Sequence, residues 1–235
     1  MYKFIVMLIL VGSTAYCQYN NHNFSIGLYG VYTTSASIYL NPNSNDVVLR
    51  NESFDIEDFF NPGIDLRYKI ADAFILGLNI EYIKTTAFGQ NLTAFDTTTI
   101  VNVNVEDGFR LIPVEFSAYY LLPFSTEDFK FLMGGGIAYY DGEFIRKVGD
   151  ASVTNVEKQA AYGIHVSVSM DYMLRENVAI KFSMKFRDPQ FTVKSKYNKS
   201  SVKYGKYNIH LPQNPFETKT DIDGISFILG IAIQI

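Results

Sequence analysis

Residues 178–188 read VAIKFSMKFRD. Val178, Ile180, Phe182, Met184 and Phe186 alternate with Ala179, Lys181, Ser183, Lys185 and Arg187. Successive side chains of a strand point to opposite faces, so one face here is wholly apolar and the other carries three cations. Which face meets water decides the fold, and the rest of the chain supplies the answer.

Beyond residue 20 no helical period runs for any length. The same period-two alternation recurs in seven further segments: 24–33, 62–70, 74–84, 110–122, 129–140, 160–173 and 225–235. Three connections are short: ADA (71–73), PFSTED (123–128) and LREN (174–177). Between them lie long polar stretches at 34–61, 85–109, 141–159 and 189–224. Strict alternation puts every short turn at one end of the sheet and every long connection at the other. Long structureless loops count against a compact soluble domain. They are the rule in an outer-membrane barrel, where periplasmic turns are short and extracellular loops long.

Aromatic placement separates a soluble lipid-binding barrel from a membrane barrel. On the apolar face, Tyr68, Phe74, Tyr120 and Tyr172 lie beside the short turns. Tyr32, Tyr82, Tyr139, Tyr162, Phe186 and Phe227 lie on that face beside the long connections. Two aromatic rings with aliphatic residues between them mark two membrane–water interfaces. The expected fold is therefore all-β: an eight-stranded, antiparallel, up-and-down transmembrane β-barrel with its apolar face against lipid and its charges inside.

The start of the chain agrees with export. Lys3 precedes the apolar run FIVMLILVG (4–12), then STAYCQ, the layout of a secretory signal peptide cleaved before Gln18. The run is too short to span a bilayer, and bulky Tyr16 argues against lipidation at Cys17. Residues 1–17 thus read as signal peptide and 18–235 as the barrel domain, with localisation in the outer membrane. The single cysteine falls in the leader, so no disulfide is expected. The net charge of −4 gives no argument for a nucleic-acid partner.

An eight-stranded barrel is just wide enough for side chains to fill, and buried charges must then be paired. The expected interior network is Asp65, Arg67, Glu81, Glu115, Asp171, Lys181 and Lys185. A tight LREN turn sets Asp171 opposite Lys181, Ser167 opposite Lys185 and His165 near Arg187. With Leu122 opposite Phe129, Glu115 faces Gly136 and Ser117 faces Gly134, while Arg67 faces Gly77 in another hairpin. Glycine opposite a long inward charge leaves room for it.

The signal peptide, FRLIPVEFSAYYLLPF (109–124), the glycine-rich FLMGGGIAYY (131–140) and the alternating last strand resemble the small eight-stranded barrels of the OmpA/OmpX kind. They are similar above all to the outer membrane protein beta-barrel domains of Bacteroidetes. That resemblance implies structural, adhesive or secretion-accessory roles, with lipid and a surface or secretion-system protein as partners.

Two further sets of residues bear on function. His165, Ser167 and Asp171 share one strand face, and a His base with a Ser nucleophile would suit a small lipid-active, deacylase-like enzyme. The competing reading is an inert polar interior and no enzyme. Residues 189–224 carry Lys194, Lys196, Lys199, Lys203 and Lys206 among tyrosines, against an acidic first connection (Asp46, Glu52, Asp55, Glu57, Asp58). Such a loop is a candidate for lipopolysaccharide phosphates or another anionic partner; the alternative is a solvated loop paired to its acidic neighbour. His22, His165 and His210 are scattered, so no metal or cofactor is expected. The reading overall is a monomeric barrel with a structural or surface-interaction role. A lipid enzyme and minor passage of small solutes are its rivals.

Overall fold

The computed structural model describes residues 22–96, 99–205 and 207–235, so the stretch read as signal peptide lies outside it. The described residues are nearly all strand. In chain order these are β1 (Phe24–Tyr39), β2 (Ser53–Ala71), β3 (Phe74–Glu81), β4 (Ile83–Asp96), β5 (Thr99–Leu121), β6 (Phe129–Val148) and β7 (Ala151–Lys158). There follow β8 (Ala161–Arg175), β9 (Val178–Arg187), β10 (Gln190–Tyr197), β11 (Ser201–Tyr204), β12 (Tyr207–His210), β13 (Phe216–Asp221) and β14 (Ile225–Gln234). One short helix, α1 (Val47–Asn51), is capped by the Asp46 carboxylate, which accepts from Val48 N.

All pairings are antiparallel, and they run in a circuit: β1 to β2, β3, β5, β6, β8, β9, β14 and back to β1. The register can be followed around it from Phe129 through Tyr172, Ile180, Ile231, Leu28, Ile64, Ile80 and Val114. It returns to β6 at Tyr139, ten residues beyond its start. A closed sheet with this stagger tilts its strands by about 40° to its axis. Closure leaves no unpaired edge in this half of the molecule.

That traced path is also an apolar belt. Leu28, Ile64, Ile80 and Ile231 are among its exposed residues, while on the opposite face Asp65, Arg67, Glu81, Asp171 and Lys181 are buried. Aromatics border the belt. Phe74 packs on Tyr120 and Phe129 on Tyr172 at the short-turn end, with centroids 5.3 and 4.9 Å apart. Tyr32 packs on Phe60 and Tyr139 on Tyr162 at the other, at 5.0 and 5.5 Å.

The long connections differ from expectation. The chain has fourteen strands among the described residues, not eight, because 34–61, 85–109, 141–159 and 189–224 are themselves largely β-structure. β5 runs for 23 residues and β6 for 20, far beyond the apolar belt. Together with the ends of β1 and β2, and with β4, β7, β10 and β13, they form a collar. Its sheet runs β2, β1, β13, β10, β7, β6, β5, β4, with no pairing between β2 and β4 among the described residues.

Inside the collar the wall reverses its chemistry. Phe109, Leu111, Tyr140, Phe144 and Phe191 point inward as one buried cluster. Val103, Val105, Val148, Tyr197, Val202 and Ile209 form another. The outward positions carry Glu106, Arg110, Glu143 and Lys147. At Asp58, with φ at +55°, β2 changes which parity faces inward, from Phe59 and Asn61 to Ile56. Aspartate tolerates this left-handed conformation better than most residues. Tyr32 donates a hydrogen bond to its carboxylate, fixing the change at the level of the aromatic border.

Two glycines separate wall crowding from wall composition. A Cβ at Gly136 would lie 1.8 Å from the Phe116 carbonyl oxygen, a backbone atom that cannot swing aside, whereas at Gly30 the nearest atom is 4.0 Å away. Gly136→Ala is expected to cost about 1–3 kcal/mol in detergent unfolding experiments. Gly30→Ala should shift the same transition by less than about 0.5 kcal/mol.

Candidate functional site

The circuit turns one face of each strand into a lumen. β2 contributes Asp65 and Arg67, β3 Asn79 and Glu81, β5 Glu115, Ser117 and Tyr119, and β6 Lys130. β8 adds His165 and Asp171, and β9 adds Lys181, Lys185 and Arg187, all buried. Alternation alone puts each of them inward; ring closure decides whom each one meets.

Two charge clusters result. Toward the collar, Lys185 donates to Glu81 at 2.8 Å and to Glu115 at 2.5 Å. Arg187 reaches the same two carboxylates at 2.8 and 3.1 Å. Toward the short turns, Lys181 bonds Asp65 at 2.6 Å, Arg67 bonds Asp65 and Asp171 at 2.8 Å each, and Arg67 lies 4.9 Å from the centroid of the Tyr119 ring. All seven residues expected in the network stand in these clusters, together with Arg187. Lys130, in register with Asp171, adds another buried cation.

Several partners differ from the hairpin expectation. Asp171 and Lys181 are in register as expected, yet their charges go elsewhere, to Arg67 and Asp65. Both reach across the lumen, where Arg67 bridges Asp171 to Asp65 and Asp65 in turn holds Lys181, so the charges join in one chain. The β5–β6 hairpin is two residues off: Glu115 faces Ala138, Ser117 faces Gly136 and Tyr119 faces Gly134. PFSTED closes with its own hydrogen bonds, Thr126 N to the Phe129 carbonyl among them, and this makes the turn wider than read. Gly77 does face Arg67, but the space it leaves is taken by the Tyr119 ring, which would stand 2.7 Å from a Cβ there.

His165 and Ser167 do not form a pair. His165 Nε2 lies 2.8 Å from Ser117 Oγ, which also accepts from Asn79 Nδ2 at 3.1 Å, while Ser167 Oγ has no hydrogen-bond partner among the described residues. All four side chains are buried in the lumen. Residues two apart on one strand project in parallel, which leaves the imidazole to bond across to the neighbouring wall instead.

The collar holds the remaining charges. Arg146 makes two bonds of 2.6 Å to Asp107 within its interior. Of the five loop lysines, Lys194 bonds Glu157 at 2.8 Å and Lys199 bonds Asp150 at 2.5 Å, and Lys206 lies outside the described residues. The partners are acids of β7 and its turn, not those of the first connection, because β10 pairs with β7. Lys196 and Lys203 are exposed. The hydrogen bond from Lys199 holds the Asp150 carboxyl below its ordinary value. Burial alone would lower Lys158, but its bonds to Glu143 and Asp141 raise it.

Double-mutant cycles in detergent unfolding should give about 1–3 kcal/mol of coupling between Lys181 and Asp65, and a clearly smaller value between Lys181 and Asp171. Glu115→Ala, which strips a partner from both Lys185 and Arg187, should cost about 3–5 kcal/mol. A depressed carboxylate contributes stability above its unfolded value and loses it as pH falls through the folded one; a raised lysine keeps its contribution until the pH passes above its folded value. Proteolytic nicking at 149–152 and 198–200 should therefore increase in acid and stay unchanged from neutral to mildly alkaline pH.

No protein-family model matches the chain, and no curated protein matches it in sequence. Solved structures do resemble it. The outer membrane protein OprG from Pseudomonas aeruginosa superposes with a TM-score of 0.63 at 14% identity, covering 91% of this chain and 96% of OprG. Neisserial surface protein A gives 0.49 at 12% identity over 90% and 97%. Ail, the attachment invasion locus protein of Yersinia pestis, gives 0.43 at 10% over 91% and 99%. At 14% identity the likeness to OprG speaks to architecture alone, and the architecture is that of a small outer-membrane-type antiparallel β-barrel.

Proposed function

We propose that this chain is an eight-stranded barrel embedded in a bacterial outer membrane. In this reading it conducts no solutes and acts by holding a rigid, folded collar at the cell surface. The apolar belt faces lipid, the ADA, PFSTED and LREN turns face the periplasm, and the collar faces outward. The carrying observation is that the bore is filled twice over. The crossed ion pairs of Glu81, Glu115, Lys185 and Arg187 occupy the belt level, and Phe59, Phe109, Tyr140, Phe144 and Phe191 occupy the level above. Extended strands packed on an apolar interior present a fixed surface, as a structural or adhesive role requires, and mobile loops would not.

The buried His165–Ser117 contact favours an interior structural role over a lipid-active enzyme, since neither side chain reaches the lipid face. Within the surface role, the exposed Lys196 and Lys203, with Lys194, Lys199 and Lys206 beside them in sequence, are the residues suited to an anionic surface partner. A second copy of the chain is not required, and the protein acts as a monomer.

In fractionated cells the folded protein should run with the outer membrane and shift its gel mobility on heating. In planar bilayers it should give no single-channel steps at 100 mV, and steady conductance would overturn the closed-bore reading. Changing the five lysines to Gln should weaken capture of anionic cell-surface material at least fivefold, and unaltered capture would remove the lysines from the function.

A further inference from the structure

The outer wall carries a dent at the upper edge of the apolar belt. Outward-facing Gly30 and Pro62 are register partners on β1 and β2, and their small side chains sit among long ones. Beside them an apolar groove of about 620 Å³ runs over β2 and β3, lined by Leu28, Pro62, Ile64, Leu78, Tyr82 and Ile112. It ends at Tyr82, one of the border aromatics.

Two residues beyond Tyr82 and Ile112 along the chain stand Lys84 on β4 and Arg110 on β5, which are register partners. Side chains directly opposite each other on antiparallel strands have Cβ atoms about 5 Å apart, and two residues along a strand advance it by about 7 Å. Two cations thus stand side by side just beyond the mouth of the groove. Lys84 makes no ion pair with any described residue. Arg110 bonds Glu143 at 2.7 Å, and Glu143 is also held by Lys158 at 2.6 Å, which in turn reaches Asp141 at 3.3 Å. Arg110 and Lys158 share the two carboxylates of Glu143 and Asp141, which leaves the Lys84 charge in excess on the groove side. Beyond them Glu106 bonds Lys147 at 3.2 Å and is within electrostatic reach of Lys84, so one carboxylate faces two lysines.

We propose that this is a binding site for a phosphorylated glycolipid of the outer leaflet, the lipid A part of lipopolysaccharide. One acyl chain lies in the groove between Leu28 and Ile112, and a phosphate is shared by Lys84 and Arg110. The proposal rests on the membrane reading above, because only that orientation brings the collar side of the belt to the outer leaflet. Charge complementarity selects the occupant. A zwitterionic headgroup would place its own cation against Lys84, whereas a phosphate monoester presents charge and three acceptor oxygens to the fork of Arg110. The site differs from the lysine-rich segment of residues 189–224, which lies on other strands of the collar.

The test uses the full chain refolded in detergent, with heat-shifted gel mobility recorded first. Bisphosphorylated lipid A and its dephosphorylated counterpart are then titrated, and bound lipid is counted by native mass spectrometry. A saturable single-lipid complex with the phosphorylated form is expected, with affinity at least tenfold weaker for the dephosphorylated form and for the variant Lys84→Gln/Arg110→Gln. Pro62→Leu, which fills the dent, should weaken both forms, and Lys194→Gln/Lys199→Gln should change neither. Where the double variant does not refold, Lys84→Gln alone, at an exposed side chain, is expected to lower affinity at least threefold. Equal affinity of the refolded cation variant, or of the two lipids, overturns the site while a normal heat shift leaves the barrel reading standing. Absence of any heat-shifted species in the unaltered protein overturns both.

Discussion

Glu81, Glu115, Lys185 and Arg187 hold one another in a four-membered charge cluster, and the rest of the lower molecule is arranged around making that cluster satisfiable. β3 and β9 stand four places apart in the circuit of eight, on opposite sides of the lumen. Their side chains meet only if the sheet closes with the right stagger. The same holds for Arg67 on β2 and Asp171 on β8. A charge taken out of water is strongly unfavourable unless its partners are in place. A slipped register would bury the same charges unpaired, so the crossed pairs penalise wrong closures as well as stabilising the right one.

The second constraint is that one continuous strand meets different surroundings along its length. In β5 the odd-numbered positions face inward throughout. They read Val103, Val105, Asp107, Phe109 and Leu111 in the collar, then Glu115 and Ser117 in the belt, while the outward face goes from Asn102, Asn104 and Glu106 to Phe116. Parity is conserved and polarity reverses. An apolar exterior forces polar groups and charges into the lumen, and a polar exterior lets the interior pack as an ordinary apolar core. The reversal falls at the upper aromatic border, where β2 also shifts phase at Asp58. Arg146 and Asp107 are charges buried within the collar interior, and their bidentate geometry satisfies both groups in place.

These two constraints together explain why the bore is filled at the level of the belt. At five lumenal glycines the space is taken by a neighbouring side chain: Asp65 over Gly27, Tyr29 over Gly63 and Gly230, Tyr119 over Gly77 and Gly134. The outer wall at the membrane border and the collar surface above it are open to other molecules, and so is a cavity of about 430 Å³ at the collar mouth that reaches Arg146 and Tyr197. The cation pair Lys84–Arg110 stands on the outer wall, and the exposed Lys196 and Lys203 stand on the collar surface.

How much was legible in the sequence follows from which interactions are local. Period-two alternation in VAIKFSMKFRD and its companions determined the strands, the face of each residue and the residues of the charged network, because a strand's pleat is set by its own backbone. Short turns determined the hairpin registers at LREN and ADA. The β5–β6 register lies two residues from the one a tight PFSTED turn implies, because that turn closes through side-chain and backbone bonds of Ser125 and Thr126. The collar was hidden for a related reason. IVNVNV (100–105) alternates as cleanly as any belt strand, but glycine, asparagine and threonine break the longer stretch, and its apolar face points into the wall instead of out. Only the tertiary structure decided the partners: Lys181 with Asp65, Arg67 with Asp171, His165 with Ser117. Those contacts cross a lumen, and a lumen exists only once the first strand has met the last.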